Sequence, residues 1–348
     1  MKNNNNSPLT VYDIAHMAGV SPATVSKVIN RRRGVNAETA ANVVRILRET
    51  GFSPRWKAGT CKVVGFIGPA YPGIILDSYD SQILSQCCDE LMEKGFSLQL
   101  VNPCHAADMK SFRSFLSRSE MISGVIIIAN PINYEFCREM LRNSSNFPCV
   151  VIGKLDDSTA NSIPEAGNHL WTDDYAAGYQ LATLFLRHNH RKFHIVSATL
   201  DDVGHRHRTS GIIAALKSQG IPPENITTGE VKEDLRNSGA QLAMIIACKK
   251  VKPDAIIFTN GAICAGFVTG CVNMKVRIPE EISVAGFEDA SELEYLPVPV
   301  TSMHTPARQL GEAAVKALLA QIDHTLLPFP KVLQHSLCIR NTISMLQD

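Results

Sequence analysis

Five histidines close together in the middle of the chain are the first residues that could support metal or acid–base chemistry: His188, His190, His194, His205 and His207. A zinc site needs three or four ligands in a tetrahedral arrangement, and the His205-x-His207 pair lies on a predicted loop or helix start without such a set. The sequence also contains no Gly-x-Ser-x-Gly, Walker, His-Glu-x-x-His or Gly-x-Gly-x-x-Gly motif. We therefore expect no enzyme, no metal and no cofactor.

Positive charge at the amino end is the second chemical feature. Residues 1–57 contain nine Lys or Arg and three Asp or Glu, which leaves 25 Lys or Arg against 30 acids in the remainder. A small basic head on a mildly acidic body favours contact of the head with a polyanion such as nucleic acid.

This basic head has the apolar spacing of three helices. Thr10 is the predicted N-cap of the first helix, Gly19 ends it in a left-handed turn, and Ser21 caps a second helix. The second helix is expected to present these residues outward: Pro22, Ala23, Ser26 and Lys27. A third helix is predicted to start at Asn36 or Ala37. Two short helices joined by a Gly-containing turn indicate a helix-turn-helix, with an ordinary three-helix bundle as the alternative.

From residue 62 onward, short apolar runs alternate with segments of helical spacing. The predicted strands are 63–68, 98–101, 125–129, 149–153, 193–197, 255–259 and 282–286. The predicted helices are 78–94, 107–118, 133–143, 174–188, 207–219, 237–249, 263–273 and 306–323. This alternation predicts βαβ units around parallel sheets. Eight helices are more than one parallel sheet of this length needs. We therefore expect an all-α head followed by an α/β body of two Rossmann-like lobes.

The overall composition predicts the number of domains and the cellular location of the protein. The 348 residues are 45% hydrophobic and 19% charged, which suits two or three domains with buried cores. No run of 18 apolar residues is present, and the opening MKNNNNSPLT lacks the apolar stretch of a signal peptide. We therefore expect a cytoplasmic protein without membrane contact, whose ten cysteines are reduced and mostly buried.

Three motifs in the head carry a specific resemblance. They are D-I-A-x-x-A-G-V-S-x-x-T-V-S-x-V-I-N at Asp13–Asn30, V-x-x-x-T at Val35–Thr39 and G-F-S-P at Gly51–Pro54. This pattern resembles the head of LacI/GalR-family transcriptional regulators, whose second helix enters the DNA major groove. The resemblance implies that base edges face Pro22, Ala23 and Lys27. It implies phosphate contacts at Thr10, Ser21, Ser26, Asn30, Asn36 and Thr39.

The resemblance also divides the chain into a DNA-binding head at 1–54, a linker at 55–62 and a body at 63–348. In the family this linker is usually longer, and it often forms a hinge helix that places a leucine in the minor groove. Here the linker has no leucine, and Trp56 is its only large apolar side chain. Whether a hinge helix forms is left open, and Arg55 is expected to contact the central phosphates.

The order of elements in the body is similar to the periplasmic-binding-protein-like effector domain of the same family. This resemblance implies a first lobe at about 63–160 and 305–329 and a second lobe at about 161–304 and 330–342. Ligands in such a fold bind between the lobes, outside the carboxyl ends of the strands.

Four residues match the family's effector contacts: Tyr79, Arg208, Asn260 and Glu288. Two positions depart from the family pattern, because Gly261 replaces the aspartate after the asparagine and Glu288 replaces an aspartate. A guanidinium facing a carboxylate suits a polyhydroxyl ligand. We therefore expect a sugar or sugar derivative as the effector, with a nucleoside or purine as the alternative.

Together these features predict a sequence-specific DNA-binding transcriptional regulator, a repressor, that acts as a homodimer on a near-palindromic operator. The alternative is a solute-binding protein with the same body fold and no regulatory role. The absence of an export signal and the fused helix-turn-helix favour the regulator. The sequence leaves open the effector, the operator sequence, the sign of regulation and whether the assembly is a dimer or a tetramer.

Overall fold

The computed structural model describes residues 10–29, 35–50, 63–68, 78–101, 108–118, 122–144, 147–155, 168–288, 291–325 and 332–346. The head consists of helices α1 (Val11–Ala18), α2 (Pro22–Ile29) and α3 (Ala37–Thr50). Thr10 caps α1, and Gly19 ends it with φ +66°. These three helices enclose a small core formed by Ile14, Ala15, Ala18, Val25, Val43 and Ile46. The predicted helix-turn-helix is therefore confirmed.

The first lobe is built around a six-stranded parallel sheet. Its strands are β1 (Val63–Ile67), β2 (Ser97–Leu100), β3 (Ile122–Ile128), β4 (Cys149–Ile152), β5 (His169–Thr172) and β11 (Val332–Leu333), in the order β11-β5-β4-β3-β1-β2. Its helices are α4 (Ser78–Glu93), α5 (Met109–Arg118), α6 (Tyr134–Arg142) and α12 (Ala307–Ile322). Alternate residues of the central strands belong to different apolar clusters, so both faces of this sheet are buried.

The second lobe contains a second six-stranded sheet, in the order β12-β10-β9-β8-β6-β7. Its strands are β6 (Phe193–Ser197), β7 (Ile226–Glu230), β8 (Ala255–Phe258), β9 (Ser283–Phe287), β10 (Thr301–His304) and β12 (Ser336–Cys338). Its helices are α7 (Asp174–Arg187), α8 (Val203–Ser218), α9 (Leu235–Ala247), α10 (Gly261–Asn273) and α11 (Ser291–Glu294). The edge strand β12 runs antiparallel to β10, and the other pairs are parallel. The predicted two-lobed α/β body is confirmed.

The chain passes between the two lobes at three places. These crossings lie between β5 and α7, between β10 and α12, and between β11 and β12. The predicted lobe boundaries at 160/161 and 329/330 therefore need correction, because β5 and β11 both pair within the first sheet. The four-residue strand β5 (His-Leu-Trp-Thr) contains only two apolar side chains, and β11 has two residues, so neither produces the continuous apolar run used to predict strands.

Within the described ranges, no helix has the length and apolar character that crossing a bilayer requires.

Candidate functional site

The second helix of the head presents the side chains that were predicted to read DNA. On α2, Ala23, Ser26 and Lys27 are exposed and Pro22 is half-buried, whereas Val25 is fully buried on the opposite side. The outward face of α2 is therefore available to a partner, as the helical spacing predicted. Two other predicted contacts, Asn30 and Arg55, lie outside the described residues, as does the whole linker at 55–62.

Three predicted phosphate contacts are the N-caps of the three head helices. The side-chain oxygens of Thr10, Ser21 and Asn36 accept the backbone N–H groups of Asp13 (3.3 Å), Thr24 (3.1 Å) and Thr39 (2.7 Å), respectively. Each therefore marks a helix N-terminus, where free N–H groups and the helix dipole favour an anion. The remaining predicted contact, Thr39, is half-buried in the first turn of α3.

The start of α1 carries a carboxylate directly beside its cap. The Asp13 carboxylate accepts from both the hydroxyl and the backbone N–H of Thr10, each at 2.6 Å, and these hydrogen bonds lower the pKa of Asp13. An ionised carboxylate next to Thr10 repels a phosphate. The first turn of α3 also contains an acid, Glu38, whereas that of α2 contains none. The N-terminus of α2 is therefore the best placed of the three to receive the DNA backbone.

In the body, Arg208 lies in the second turn of α8, at the carboxyl edge of the second sheet. The helix starts at Val203, four residues before the predicted start at 207, because the Asp202 carboxylate caps it by accepting from the His205 N–H at 3.1 Å. The predicted loop at 198–208 is correspondingly shorter. Arg208 is consequently held by a helix, and its side chain is only 8% exposed.

The Arg208 guanidinium is shared between two carboxylates, one on the buried Asp174 and one on the partly buried Glu288. Its Nε donates to Asp174 Oδ1 at 2.8 Å, and its Nη1 donates to Glu288 Oε1 and to the carbonyl of Thr259, both at 2.8 Å. The ring of Phe287 covers the guanidinium, with Cζ 4.9 Å from the ring centroid. We refer to Arg208, Asp174, Glu288 and Asn260 as the Arg208 cluster.

The other carboxylate oxygen of Glu288 lies at the start of α10. It accepts from Asn260 Nδ2 at 3.0 Å and from the Gly261 N–H at 3.1 Å. Asn260 meanwhile caps α10, since its Oδ1 accepts from the N–H groups of Ala262 and Ile263. The structure thus brings together three of the four predicted effector residues, Arg208, Asn260 and Glu288, in one hydrogen-bonded group.

The two departures from the family pattern, Gly261 and Glu288, are sterically compatible with each other. A Cβ on Gly261 would lie 3.0 Å from the Phe287 carbonyl and 3.6 Å from Glu288 Oε2. An aspartate at 261 would therefore crowd the backbone and place a second carboxylate against that of Glu288. Glycine at 261 accommodates the longer acid at 288, whose backbone adopts φ +77°.

The electrostatics of the cluster follow from its composition. Burial by itself raises the pKa of Asp174 and of Glu288, but the Arg208 guanidinium outweighs it and holds both pKa values below their ordinary range. Burial would lower the pKa of Arg208, yet Asp174 and Glu288 raise it. The cluster therefore holds one guanidinium against two ionised carboxylates.

Sequence reasoning missed Asp174 and His335. Asp174 begins α7, and its neighbour Asp173 does the capping by accepting from the Ala176 N–H at 3.0 Å, which leaves Asp174 to bind Arg208. A pair of aspartates before a helix signals a cap but does not show which residue has another partner. His335 Nε2 lies 3.2 Å from Asp174 Oδ1. No local pattern indicates this contact, since 161 residues separate the two.

Two glycines set the distance between α7 and α8. A Cβ on Gly178 would lie 2.2 Å from the Arg208 carbonyl, and a Cβ on Gly211 would lie 2.1 Å from the Tyr175 carbonyl. The helix backbones are therefore in contact at the turns that carry Asp174 and Arg208. This close crossing is what positions the two side chains for their hydrogen bond.

Hydrogen bonds also join the two lobes. Tyr134, at the start of α6 in the first lobe, donates its hydroxyl to Asp202 Oδ2 (3.1 Å) and accepts from the Val203 N–H (3.0 Å) in the second lobe. Lys154 Nζ lies 3.2 Å from His207 Nδ1 across the same boundary. These contacts place the first-lobe strand ends opposite the start of α8.

On the first-lobe side, the predicted residue Tyr79 is half-buried in the first turn of α4 and packs against the lobe's core. Within the described residues, the hydrogen bonds of Arg208, Asn260 and Glu288 do not reach it. Asn130 follows β3 and is buried, and its Nδ2 has no hydrogen-bond partner among the described residues. No group of three or more potential metal ligands occurs in the described part of the chain.

Sequence-family models match both parts of this architecture. Residues 10–55 match the model for bacterial regulatory proteins of the lacI family, and residues 182–343 match a periplasmic binding protein-like domain. The chain belongs to the LacI family of bacterial regulatory proteins. It is a DNA-binding transcriptional regulator controlled by a small-molecule effector.

LacI-family relatives align along nearly the whole chain. It is 26% identical over 323 residues to the HTH-type transcriptional repressor PurR of Vibrio vulnificus (strain CMCP6), covering 90% of this chain and 92% of the relative. It is 25% identical to the ribose operon repressor of Escherichia coli (strain K12), covering 90% and 93%. The fold is similar to that of the lac repressor dimer bound to operator and the anti-inducer ONPF, with a TM-score of 0.67 and 22% identity over 97% and 100% of the two chains.

Proposed function

We propose that this LacI-family protein is a cytoplasmic repressor that binds a near-palindromic operator as a homodimer and responds to an uncharged polyhydroxyl effector, a sugar or sugar derivative. The observation that carries the effector class is the Arg208 cluster, in which a buried guanidinium is already paired with Asp174 and Glu288. The effector would bind between the lobes and contact Arg208, Asn260 and Glu288, with Tyr79 and Asn130 on the first-lobe side.

The charge balance of the cluster favours hydroxyl groups over anions. A ligand carboxylate or phosphate would add a third negative charge beside Asp174 and Glu288, and Arg208 has two carboxylate partners already. A hydroxyl group both donates and accepts, so it can bind to Glu288 and to the guanidinium at once. Similarity to a ribose operon repressor is consistent with this class.

A purine or nucleoside is the second candidate. Similarity to PurR supports it, and so does the pairing of Asn260 with Glu288, because an amide beside a carboxylate can match the donor and acceptor edge of a heterocycle. The ring of Phe287 is covered by Arg208, which leaves the edge of the cluster rather than an aromatic face for such a ligand.

A thermal-shift panel separates these classes. A ligand that binds only the folded chain raises the free energy of unfolding, by about 2.7 kcal/mol at a hundredfold excess over Kd. The panel contains pentoses, hexoses, disaccharides, sugar phosphates, purine bases and nucleosides. The proposal expects a shift with a neutral sugar and none with the corresponding phosphate. A shift confined to purines would replace the sugar with the alternative.

On the DNA side, we infer that α2 reads the operator. Lys27 would contact a base edge, Pro22 and Ala23 would meet apolar groups, and the caps Ser21 and Asn36 would orient helix N-termini toward phosphates. Thr10, Ser26, Asn30, Thr39 and Arg55 would complete the backbone contacts. A two-fold dimer doubles these contacts and requires two half-sites.

Selection of DNA sites from a random pool tests this assignment. The expected result is a near-palindromic sequence bound by a dimer with strong dependence on salt. Failure to select any sequence would refute the assignment of α2 as the helix that reads the operator. We propose no enzymatic activity for this chain.

A further inference from the structure

Three residues mark the three crossings between the lobes. Asp174 follows the first crossing directly after β5, Thr305 lies in the second crossing between β10 and α12, and His335 lies in the third between β11 and β12. The side chains of Asp174 and His335 are 6% and 1% exposed, and Thr305 is buried. Segments that are far apart in sequence therefore meet at one buried point.

Hydrogen bonds connect all three crossings through His335. Its Nε2 lies 3.2 Å from Asp174 Oδ1, and its Nδ1 lies 3.3 Å from Thr305 Oγ1. Because the carboxylate can only accept, Nε2 carries the proton in this arrangement, and Nδ1 is then free to accept from the Thr305 hydroxyl. The imidazole edge packs against Phe287, with ring centroids 5.9 Å apart.

The same carboxylate oxygen connects the crossings to the Arg208 cluster. Asp174 Oδ1 accepts from Arg208 Nε and from His335 Nε2, while Thr172 donates its hydroxyl to Oδ2 at 3.1 Å. Displacing Arg208 changes the charge and position of the oxygen that His335 binds. A short path of hydrogen bonds, charge-assisted at Asp174, therefore runs from Arg208 to each crossing.

We propose that His335 is a positioning residue that connects Arg208, through Asp174, to the three crossing segments, so that a change in the partners of Arg208 loosens or tightens the hinge between the lobes. The ligand-facing role of Arg208 rests on the proposed function. The connection itself can be tested without any ligand.

Amide hydrogen exchange on the full-length chain measures this connection. The probes are peptides covering 172–176, 303–307 and 333–337. Two substitutions of His335 test its two ring nitrogens separately. His335→Gln keeps an N–H donor near the position of Nε2. His335→Asn keeps a polar group near the position of Nδ1 but loses the donor to Asp174. Thr305→Val is the matched control, because it removes only the second hydrogen bond.

Arg208→Met removes all three hydrogen bonds of the guanidinium and leaves Asp174 and Glu288 without their cation. We therefore expect exchange in all three peptides to become at least about tenfold faster. His335→Asn should reproduce this pattern, and His335→Gln should restore slow exchange at 172–176. Thr305→Val should accelerate exchange only at 303–307 and 333–337.

The proposal is overturned if folded Arg208→Met protein keeps wild-type exchange at 303–307 and 333–337. Equal effects of His335→Asn and His335→Gln at 172–176 would also overturn it, since a general packing role makes no distinction between them. If Arg208→Met does not fold, Arg208→Lys is measured instead with the same expected pattern, because a lysine cannot donate to Asp174 and Glu288 with the geometry of a guanidinium. If no ligand of the thermal-shift panel raises the melting temperature, the proposed effector class is refuted. The exchange results remain valid in that case, because they require no ligand.

Discussion

The Nη1 atom of Arg208 lies 2.8 Å from Oε1 of Glu288 at the edge of the second-lobe sheet, where the Arg208 side chain is buried and that of Glu288 is partly buried. The longer glutamate reaches past Asn260 to the N-terminus of α10, and Gly261 provides the space it needs. The cation expected to bind an effector is therefore already part of a charged network within one lobe. A ligand that binds Arg208 must therefore either replace one of its hydrogen bonds to Asp174 and Glu288 or form an additional one.

Gly178 sets the position of Arg208. Gly178→Ala would place a Cβ 2.2 Å from the Arg208 carbonyl, so α7 and α8 must separate. We expect a loss of about 1–3 kcal/mol in the free energy of unfolding, together with weaker effector binding. Urea denaturation measures the first effect and titration with the effector the second. Gly229→Ala is the matched control, since its Cβ would make only an ordinary contact at 3.6 Å with His194. Equal stability of the two variants would contradict the close crossing.

The lowered pKa values of Asp174 and Glu288 predict how stability depends on pH. A carboxylate whose pKa is lower in the folded chain stabilises it fully above the unfolded pKa of about 4. That stabilisation is lost as the pH falls through the folded pKa. The stabilisation from these two carboxylates should therefore be constant near neutral pH and decline below about pH 4. Glu288→Gln should make the decline shallower, whereas the exposed control Glu135→Gln should not. Urea titrations from pH 7 to 3 test this, and identical slopes for both variants would refute it.

Lys27 is predicted to specify a base. Lys27→Ala should cost about 1–3 kcal/mol of binding free energy at the preferred operator and relax the preference at one base pair. Fluorescence titrations with the operator and its single-base variants measure both effects. The exposed lysine Lys94 on the first lobe provides a control, and Lys94→Ala should leave binding unchanged. A loss that is equal on all DNA sequences would make Lys27 a phosphate contact.

Tyr134 is predicted to stabilise the arrangement of the lobes in which its hydroxyl joins them. Tyr134→Phe removes the hydroxyl that bonds Asp202 and Val203 across the boundary, leaving the Val203 N–H without its partner. We expect effector affinity to fall by up to about tenfold, equivalent to about 1.4 kcal/mol. Calorimetric titration measures the change. The more exposed Tyr175 lies in the second lobe, and Tyr175→Phe should have no effect. An unchanged affinity for Tyr134→Phe would show that these bonds do not contribute to effector binding.

Parts of the molecule that depend on local sequence could be predicted, and parts that depend on distant contacts could not. Thr10, Gly19 and Ser21 define the head because caps and turns act over three or four residues. The buried central strands give continuous apolar runs. By contrast, β11 has only two residues and β5 has only two apolar side chains, so neither gives such a run. The role of His335 depends on its hydrogen bond to Asp174, which is 161 residues away in the sequence. Arg208 was identified by resemblance, but its pairing with Asp174 depends on how α7 crosses α8.

Operator titration with and without effector, using Arg208→Lys, tests the central claim most directly. The lysine keeps the positive charge that the buried carboxylates need but loses the planar fork. Arg206→Lys on the same helix is the control, since Arg206 Nη1 bonds only the Leu200 carbonyl among the described residues. The effector is the neutral sugar that gives the largest thermal shift. For wild type and the control, it should change operator affinity by about 5–150-fold. Arg208→Lys should bind operator normally without effector and show little response to it. A full response from Arg208→Lys at the wild-type effector concentration would contradict the account.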